Sequence, residues 1–481
     1  MAVTTSRVSG KKLMTSVSIS ATTVGRIGNE GFRLGRWISS VIDGGKKVAA
    51  LWGNGDYGRL GLGNLESQWK PRILNSSAFY DQSLREIACG GAHTLFLTEN
   101  GRVYATGLND FGQLGISDDR SYATEPLIVT GIPKEVVKIS AGYHHSSAIT
   151  VDGELYMWGK NSDGQLGFGK KAAKLVTLPS KVECLNGVSI KIASLGSEHS
   201  VAVTDKGEAL SWGGGASGKL GHGHGSSILG FRKSNSEFTP RLIKDLEGVK
   251  VKSVAAGILH SACIDENGFV YIFGERAKAK MVGRGLPQEN CRISFASFLF
   301  FVNKSCIFTS DMSLICGYFF TKKQGFEEGK SVTVPSLMSK MPPSEEVACG
   351  GHHTCIITSG GELYTWGSND NGCLGIGSTD VVHSPERVKG PFVRHPVCKV
   401  SCGWKHTAAI CGGNMYTWGW GGSHGTFSED GHSSGGQLGQ GDDVDYIEPK
   451  AIDFCNKVRA WQVSCGFNHT GAILEVDKEP L

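Results

Sequence analysis

Seven histidines recur in one local pattern, Gly-x-x-His-Ser/Thr: His93, His145, His199, His260, His353, His406 and His469. Imidazoles in number could act as general bases or as metal ligands. The chain also carries 14 cysteines. Cys89, Cys349, Cys402 and Cys465 share one place just before the motif glycine, where other copies have Ala141, Leu195 and Ala256. Exchange with apolar residues marks a small buried strand position, at which a free thiol acts as a modest hydrophobe. No Cys-x-x-Cys pair occurs, so zinc-finger spacing is absent. His222-x-His224 lies in a longer loop, His222 to Phe238, with Arg232-Lys233 but no further ligands nearby in sequence. No nucleophile–base pairing, P-loop or dinucleotide fingerprint is present. Glycine strings such as Gly213-Gly214-Gly215 reflect glycine's place in a repeat. These residues predict no catalytic centre, no metal and no cofactor.

The elements that hold the histidines are legible from a second motif, Trp-Gly-x-x-x-x-Gly-x-Leu-Gly. Its lead positions are Trp52, Thr106, Trp158, Trp212, Phe273, Trp366 and Trp418. Histidine precedes the lead residue by 13 positions in five pairs and by 12 in His406/Trp418. Residues His145 to Thr150 read as a strand, Asp152-Gly153 as a hairpin turn and Leu155 to Trp158 as the returning strand. A proline follows in most copies (Pro71, Pro126, Pro179, Pro240, Pro385, Pro449) and is expected to begin an outer strand. Such a period predicts a β-propeller, one blade per copy. Trp52 has no histidine before it, and His469 has no Trp after it. Pairing of Val48–Trp52 with strands around Val463–Ile473 would complete a seventh blade and leave no open sheet edge. The fold is therefore expected to be all-β, a seven-bladed β-propeller closed by its N- and C-terminal strands over residues 48–475. The fixed phase of the histidines predicts a structural task, bonding backbone between strands. The lead tryptophans and the Gly-x-Leu-Gly glycines share that task.

Charge divides unevenly. The whole chain has a net charge of +4, with 49 basic and 45 acidic side chains. Residues 1–47 hold eight of the basic and two of the acidic groups, a net of +6 that leaves −2 for the rest. That Ser/Thr-rich, Arg-containing, acid-poor segment has the composition of an organelle transit peptide, or of a disordered polar tail. Mitochondrial (matrix) targeting is the expectation, with chloroplast or nucleus as alternatives, and 476–481 form a short tail. The near-neutral body gives no global grip on nucleic acid. No apolar run reaches the ~18–20 residues of a membrane span.

One interval breaks the ruler. His260 and His353 are 93 positions apart, whereas the three preceding steps are 52, 54 and 61. Aligning residues 273–281 with 158–166 puts Val282 where glycine belongs, and the expected glycine returns at Gly325. Residues 282–324 are compositionally foreign, with seven phenylalanines and three cysteines between Cys291 and Phe320. Valine codons begin GT and one Gln codon is CAG, so the ends of the segment are compatible with those of an intron, and a retained in-frame intron or other non-native insertion is the expectation. A surface loop is the alternative, and impaired packing of that blade is expected if the segment is present.

The segments GYHHSSAI, GWKHTAAI, WGKNSDGQLGFG and WGSNDNGCLGIG resemble the regulator-of-chromosome-condensation repeat. The resemblance spans residues 48–475 apart from the insertion and implies several activities on one scaffold. Members that exchange nucleotide on the small GTPase Ran use a wedge after a Trp-Gly. Here Trp158-Gly159 runs straight into Lys160-Asn161, which disfavours Ran more than other GTPases. UV-B photoreceptor members use repeated Gly-Trp-Arg-His-Thr copies; this chain has one near-copy, Gly403 to Thr407, and a lone Trp404. The third resemblance is to organelle-targeted plant members, which implies a mitochondrial accessory protein for transcript splicing and respiratory complex I biogenesis. Protein partners are then expected, among them organellar splicing factors or a ribonucleoprotein, with a small GTPase as the alternative and direct RNA contact only local. Trp404 and Lys405 occupy variable slots where family propellers face partners. The insertion Trp420 to Gly435 adds Trp420, His424, Phe427, Glu429, Asp430 and His432 on a Gly/Ser-rich loop, where binding residues concentrate.

Overall fold

A computed structural model describes residues 45–79, 82–223, 236–275, 332–422, 435–454 and 458–476. In the copy centred on His145, antiparallel strands run Val136–Ala141, His145–Thr150, Leu155–Lys160 and Leu175–Lys181. The turn after the second strand places Gly153 at φ +78°, a conformation glycine adopts without steric cost. All six residues of His145–Thr150 are buried, because both faces of that strand pack against neighbouring blades. The described residues form seven such four-stranded sheets.

The seventh sheet draws two strands from each end of the chain. Its order is Gln68–Ile73, Lys46–Gly53, His469–Val476, Val458–Cys465. Val48 pairs with Leu474 and Trp52 with Thr470. The ring closes as the two half-motifs predict. Nearly every described element is β, with a few single-turn 3-10 segments, and none of its helices is long and apolar enough to cross a membrane.

The core lies between blades. Leu95, Leu97 and Ala105 of one sheet pack with Ala148, Tyr156 and Trp158 of the next, and the motif residue Leu114 fills the seam. Glycine beside this plug is needed for close approach. A side chain on Gly167, at φ +79°, would sit 3.0 Å from the Trp212 indole nitrogen and 2.9 Å from Pro240.

One expectation changes. The prolines do not begin the outer strands. Pro179 is the fifth residue of Leu175–Lys181, inside the stretch where pairing shifts between Val176 and Ser180. Its missing N–H therefore removes no ladder bond. The blade interrupted by the insertion also keeps four strands: Val251–Ala256, His260–Asp265, Val270–Gly274 and Val332–Leu337. Gly274 pairs with Val332, and Pro335 takes the place of the other outer-strand prolines. Residues 1–44, which hold most of the proposed transit peptide, and the whole insertion 282–324 lie outside the described residues.

Candidate functional site

The seven histidines share a partner that the repeat phase did not predict, a hydroxyl on the next blade, and His145 and His260 also bond backbone, at His199 and His353. Each Nε2 lies 2.8–3.4 Å from a Ser or Thr hydroxyl on the next blade: His93 to Ser146, His145 to Ser200, His199 to Ser261, His260 to Thr354, His353 to Thr407, His406 to Thr470 and His469 to Thr94. The register of neighbouring blades, invisible in a local motif, brings each imidazole to the hydroxyl that follows the next histidine. Six of these hydroxyls donate to a backbone carbonyl in the Gly-x-Leu-Gly turn, at 2.7–2.8 Å: Arg59, Gln113, Gln165, Lys219, Cys373 and Gln437. Four of the carbonyls accept a second bond, from the indoles of Trp52, Trp158, Trp212 and Trp418 at 2.8–3.0 Å. Thr106, at a lead position, places its hydroxyl 2.9 Å from the Gly58 carbonyl instead.

This geometry sets the chemistry. A hydroxyl whose proton is committed to a carbonyl can only accept from imidazole, so Nε2 carries the hydrogen and cannot serve that hydroxyl as a base. Burial holds the rings neutral. Desolvation lowers His93, His145, His353 and His406 to about 3 and His260 to about 4, and puts His199 and His469 well below the ordinary value.

One face of the ring gathers the slots that vary between copies. The residues after each motif glycine, among them Gly91, Tyr143, Ser197, Ile258, Trp404 and Phe467, surround a small cavity of about 90 Å³ at the channel mouth. Aromatic rings cross this mouth in a continuous run. Trp420 meets Trp404 edge-on at 5.6 Å, and Trp404 stacks on Phe467 at 4.3 Å with planes 11° apart. Phe467 meets Tyr143 at 5.3 Å, and His144 lies between Tyr143 and Phe111 at 4.4 and 4.5 Å. The expectation of a lone Trp404 is therefore corrected, because the Trp420–Gly435 insertion brings a second indole beside it.

Glycine makes the run possible. Tyr143 leans over Gly91, where an added side chain would reach its ring at 2.9 Å, and so spans one blade to touch Phe467. Trp404 leans over Gly351 in the same way, at 2.6 Å. Cations sit at both ends: Lys405 Nζ is 4.6 Å from the Trp404 ring and 5.6 Å from Trp420, and Lys160 Nζ is 5.3 Å from Phe111. Beneath them the Arg59 side chain is buried, its Nε donating to the Asp56 carbonyl at 2.9 Å. Burial lowers its pKa, with Asp56 opposing. His144 is likewise pushed down to about 3, by burial and then by Lys160.

Of the residues singled out in sequence, the structure brings Trp404, Lys405 and Trp420 together. The described ends of the insertion that carries Trp420 are tied to each other. The Gly436 N–H donates to the Gly421 carbonyl at 3.0 Å, and Gln437 Nε2 donates to the Trp420 carbonyl at 2.8 Å. His424, Phe427, Glu429, Asp430 and His432 lie outside the described residues. His222 is engaged by the Ser211 hydroxyl at 2.9 Å, and His224 and Arg232-Lys233 fall outside the described residues. Sequence reasoning missed Phe467, Tyr143, His144 and Phe111. The available signal was the alternation of aromatic residues with Gly91 and Gly351 in one variable slot.

The chain is similar to several known proteins. Residues 48–472 match the family model described as RCC1-like domain. The chain is 30% identical over 411 residues to the ultraviolet-B receptor UVR8 of Arabidopsis thaliana, covering 84% of this chain and 78% of that protein. It is 28% identical to the RCC1 domain-containing protein RUG3, mitochondrial, also of Arabidopsis thaliana, covering 75% of this chain and 71% of that one. Among solved structures, Prp20p from Saccharomyces cerevisiae superposes with a TM-score of 0.69 at 22% identity, covering 92% and 93% of the two chains. That work describes the binding of Prp20p to Gsp1p and histones.

Proposed function

The chain belongs to the RCC1-like propeller family, and from that premise we propose that it is a non-enzymatic, protein-binding adaptor of mitochondria, serving the splicing of organellar transcripts and the assembly of respiratory complex I. The observation that carries the binding part is the aromatic run Trp420–Trp404–Phe467–Tyr143 across one face, flanked by Lys405. Trp404, Phe467 and Tyr143 are half-buried and already ordered against one another, with the buried Trp420 behind Trp404, so they lose little conformational freedom when a partner covers them. Trp and Tyr in such settings dominate interface energies. Lys405 adds a cation that a partner carboxylate can meet while its stem stays on the rings.

The location rests on the likeness to a mitochondrial relative and on the acid-poor, arginine-containing residues 1–47. With a body charge near −2, recognition through a protein is more physical than wrapping of RNA, whose affinity depends on many phosphate contacts. Affinity capture from purified mitochondria tests the reading. Recovery of splicing factors with intron RNA supports it. Recovery of one GTPase, released by added nucleotide, would instead mark the protein as an exchange factor.

A further inference from the structure

The seams between blades repeat the same positions seven times, so each seam serves as a control for the others. Two residues beyond each histidine lies a side chain at the same seam, opposite the variable residue that ends the next inner strand. The packing is direct at the closing seam, where a side chain added to Gly471 would sit 3.1 Å from Cys89 Sγ. Three seams pair one thiol with a small residue in these places: Ala262 with Cys349, Ala408 with Cys465 and Gly471 with Cys89. Three others have no thiol at either place. The seam after His353 alone has two, Cys355 and Cys402. There the imidazole and both sulfurs offer ligand atoms that all lie within 4.8 Å of one another.

The histidine at this seam shares an unpartnered Nδ1 with five other motif histidines, but among the described residues it alone has two thiols beside it. The Thr407 hydroxyl donates to the Cys373 carbonyl at 2.8 Å and so accepts from His353 Nε2–H at 2.9 Å. That fixes the tautomer and leaves the lone pair on Nδ1, which is buried with no hydrogen-bond partner among the described residues. A histidine oriented through its other nitrogen is the usual arrangement at a metal. Cys355 is fully buried, while Cys402 is partly exposed and lines the central channel, which gives an ion a way in.

We propose that His353 Nδ1, Cys355 Sγ and Cys402 Sγ form a zinc site in the channel wall, bridging two blades, with the fourth position open to the channel. Two thiolates, one neutral imidazole and Zn2+ sum to zero charge, which a buried seam tolerates; a monovalent copper ion would leave one negative charge uncompensated. Binding releases the two thiol protons, whereas His353 keeps its Nε2 proton and loses none. Ligand atoms around tetrahedral zinc stand about 3.5–4 Å apart, so the three close on an ion by small side-chain rotations.

The test uses the full reduced chain and Co2+ as a spectroscopic probe. The wild-type protein should take up one Co2+ with thiolate-to-cobalt charge-transfer and tetrahedral d–d bands, both lost on adding one equivalent of Zn2+. Cys355→Val and Cys402→Ala install residues that other seams already carry, Val201 and Ala256, so the blade has a precedent for each. Each should weaken Zn2+ binding by at least ~100-fold, while Cys398→Ser leaves it unchanged. Absence of cobalt–thiolate bands in the wild type, or their persistence in the double variant, would overturn the site. Should the variants fail to fold, X-ray absorption of the zinc-loaded wild type decides. A first shell with two sulfurs upholds the proposal, and one of oxygen and nitrogen alone refutes it.

Discussion

His469 Nε2 lies 2.9 Å from the hydroxyl of Thr94, 375 positions away in sequence, and this bond carries the seam-to-seam pattern across the join between the chain's two ends. Thr94 also donates to the Arg59 carbonyl at 2.7 Å, so one hydroxyl serves both neighbours. Thr94→Val keeps the shape but leaves a buried carbonyl and an imidazole N–H unsatisfied. A loss of about 1–3 kcal/mol is expected, read as a lower urea midpoint. An unchanged midpoint would mean that the ring does not depend on this link.

Acid should open the propeller. The folded-state pKa of each motif histidine lies below its unfolded value of about 6.5, so folding binds fewer protons than the unfolded chain does. The contribution is fully present above pH 6.5 and is lost as pH falls toward 3–4. At pH 5 each histidine withdraws about 2 kcal/mol, and several together rival the whole stability of a domain. Circular dichroism should show cooperative unfolding at a pH above 4, with little change between pH 7 and 9. A fold intact at pH 3.5 would contradict the burial of neutral imidazoles.

The lead position distinguishes hydrogen bonding from packing. Trp158 is fully buried and donates to the Gln113 carbonyl, whereas Phe273 fills the same place in another blade without a donor. Trp158→Phe should cost roughly 1 kcal/mol and Trp158→Ala roughly 3–5 kcal/mol, measured by denaturant unfolding. Equal losses would assign the whole effect to one cause.

The blade count and the closing strands were legible because a broken repeat specifies its own complement: Trp52 lacked a histidine, and His469 lacked a tryptophan. The partners of the histidines were not legible, since they lie one blade away and depend on inter-blade register. The candidate face was half legible. Trp404, Lys405 and Trp420 stood out as departures from the repeat. Tyr143 and Phe467 looked like ordinary variation until Gly91 was seen to leave room between them. Cys402 was read as apolar packing because its position, taken alone, exchanges with small hydrophobes, and nothing local marked Cys355 as its partner across the seam.

The insertion gives a further prediction. Gly274 pairs with Val332 and the four strands of that blade are complete, so the sheet does not call on residues 282–324 for any strand. Deleting them restores the spacing of the other copies and should raise the melting temperature. A lower one would show that the segment contributes to the fold, and a spliced transcript that still encodes it in the main isoform would dismiss the intron reading.

The central claim is that the Trp404 face recruits the partner. Trp404→Ala with Lys405→Glu alters slots that glycine occupies at Gly91 and Gly351 or that vary between copies, so the ring has precedent for the change at Trp404. Quantitative affinity capture from mitochondria, wild type beside this double variant at matched melting temperature, measures it directly. A loss of recovered partner of about tenfold or more is expected, from the removal of a central aromatic anchor. Equal recovery by both proteins would contradict the account.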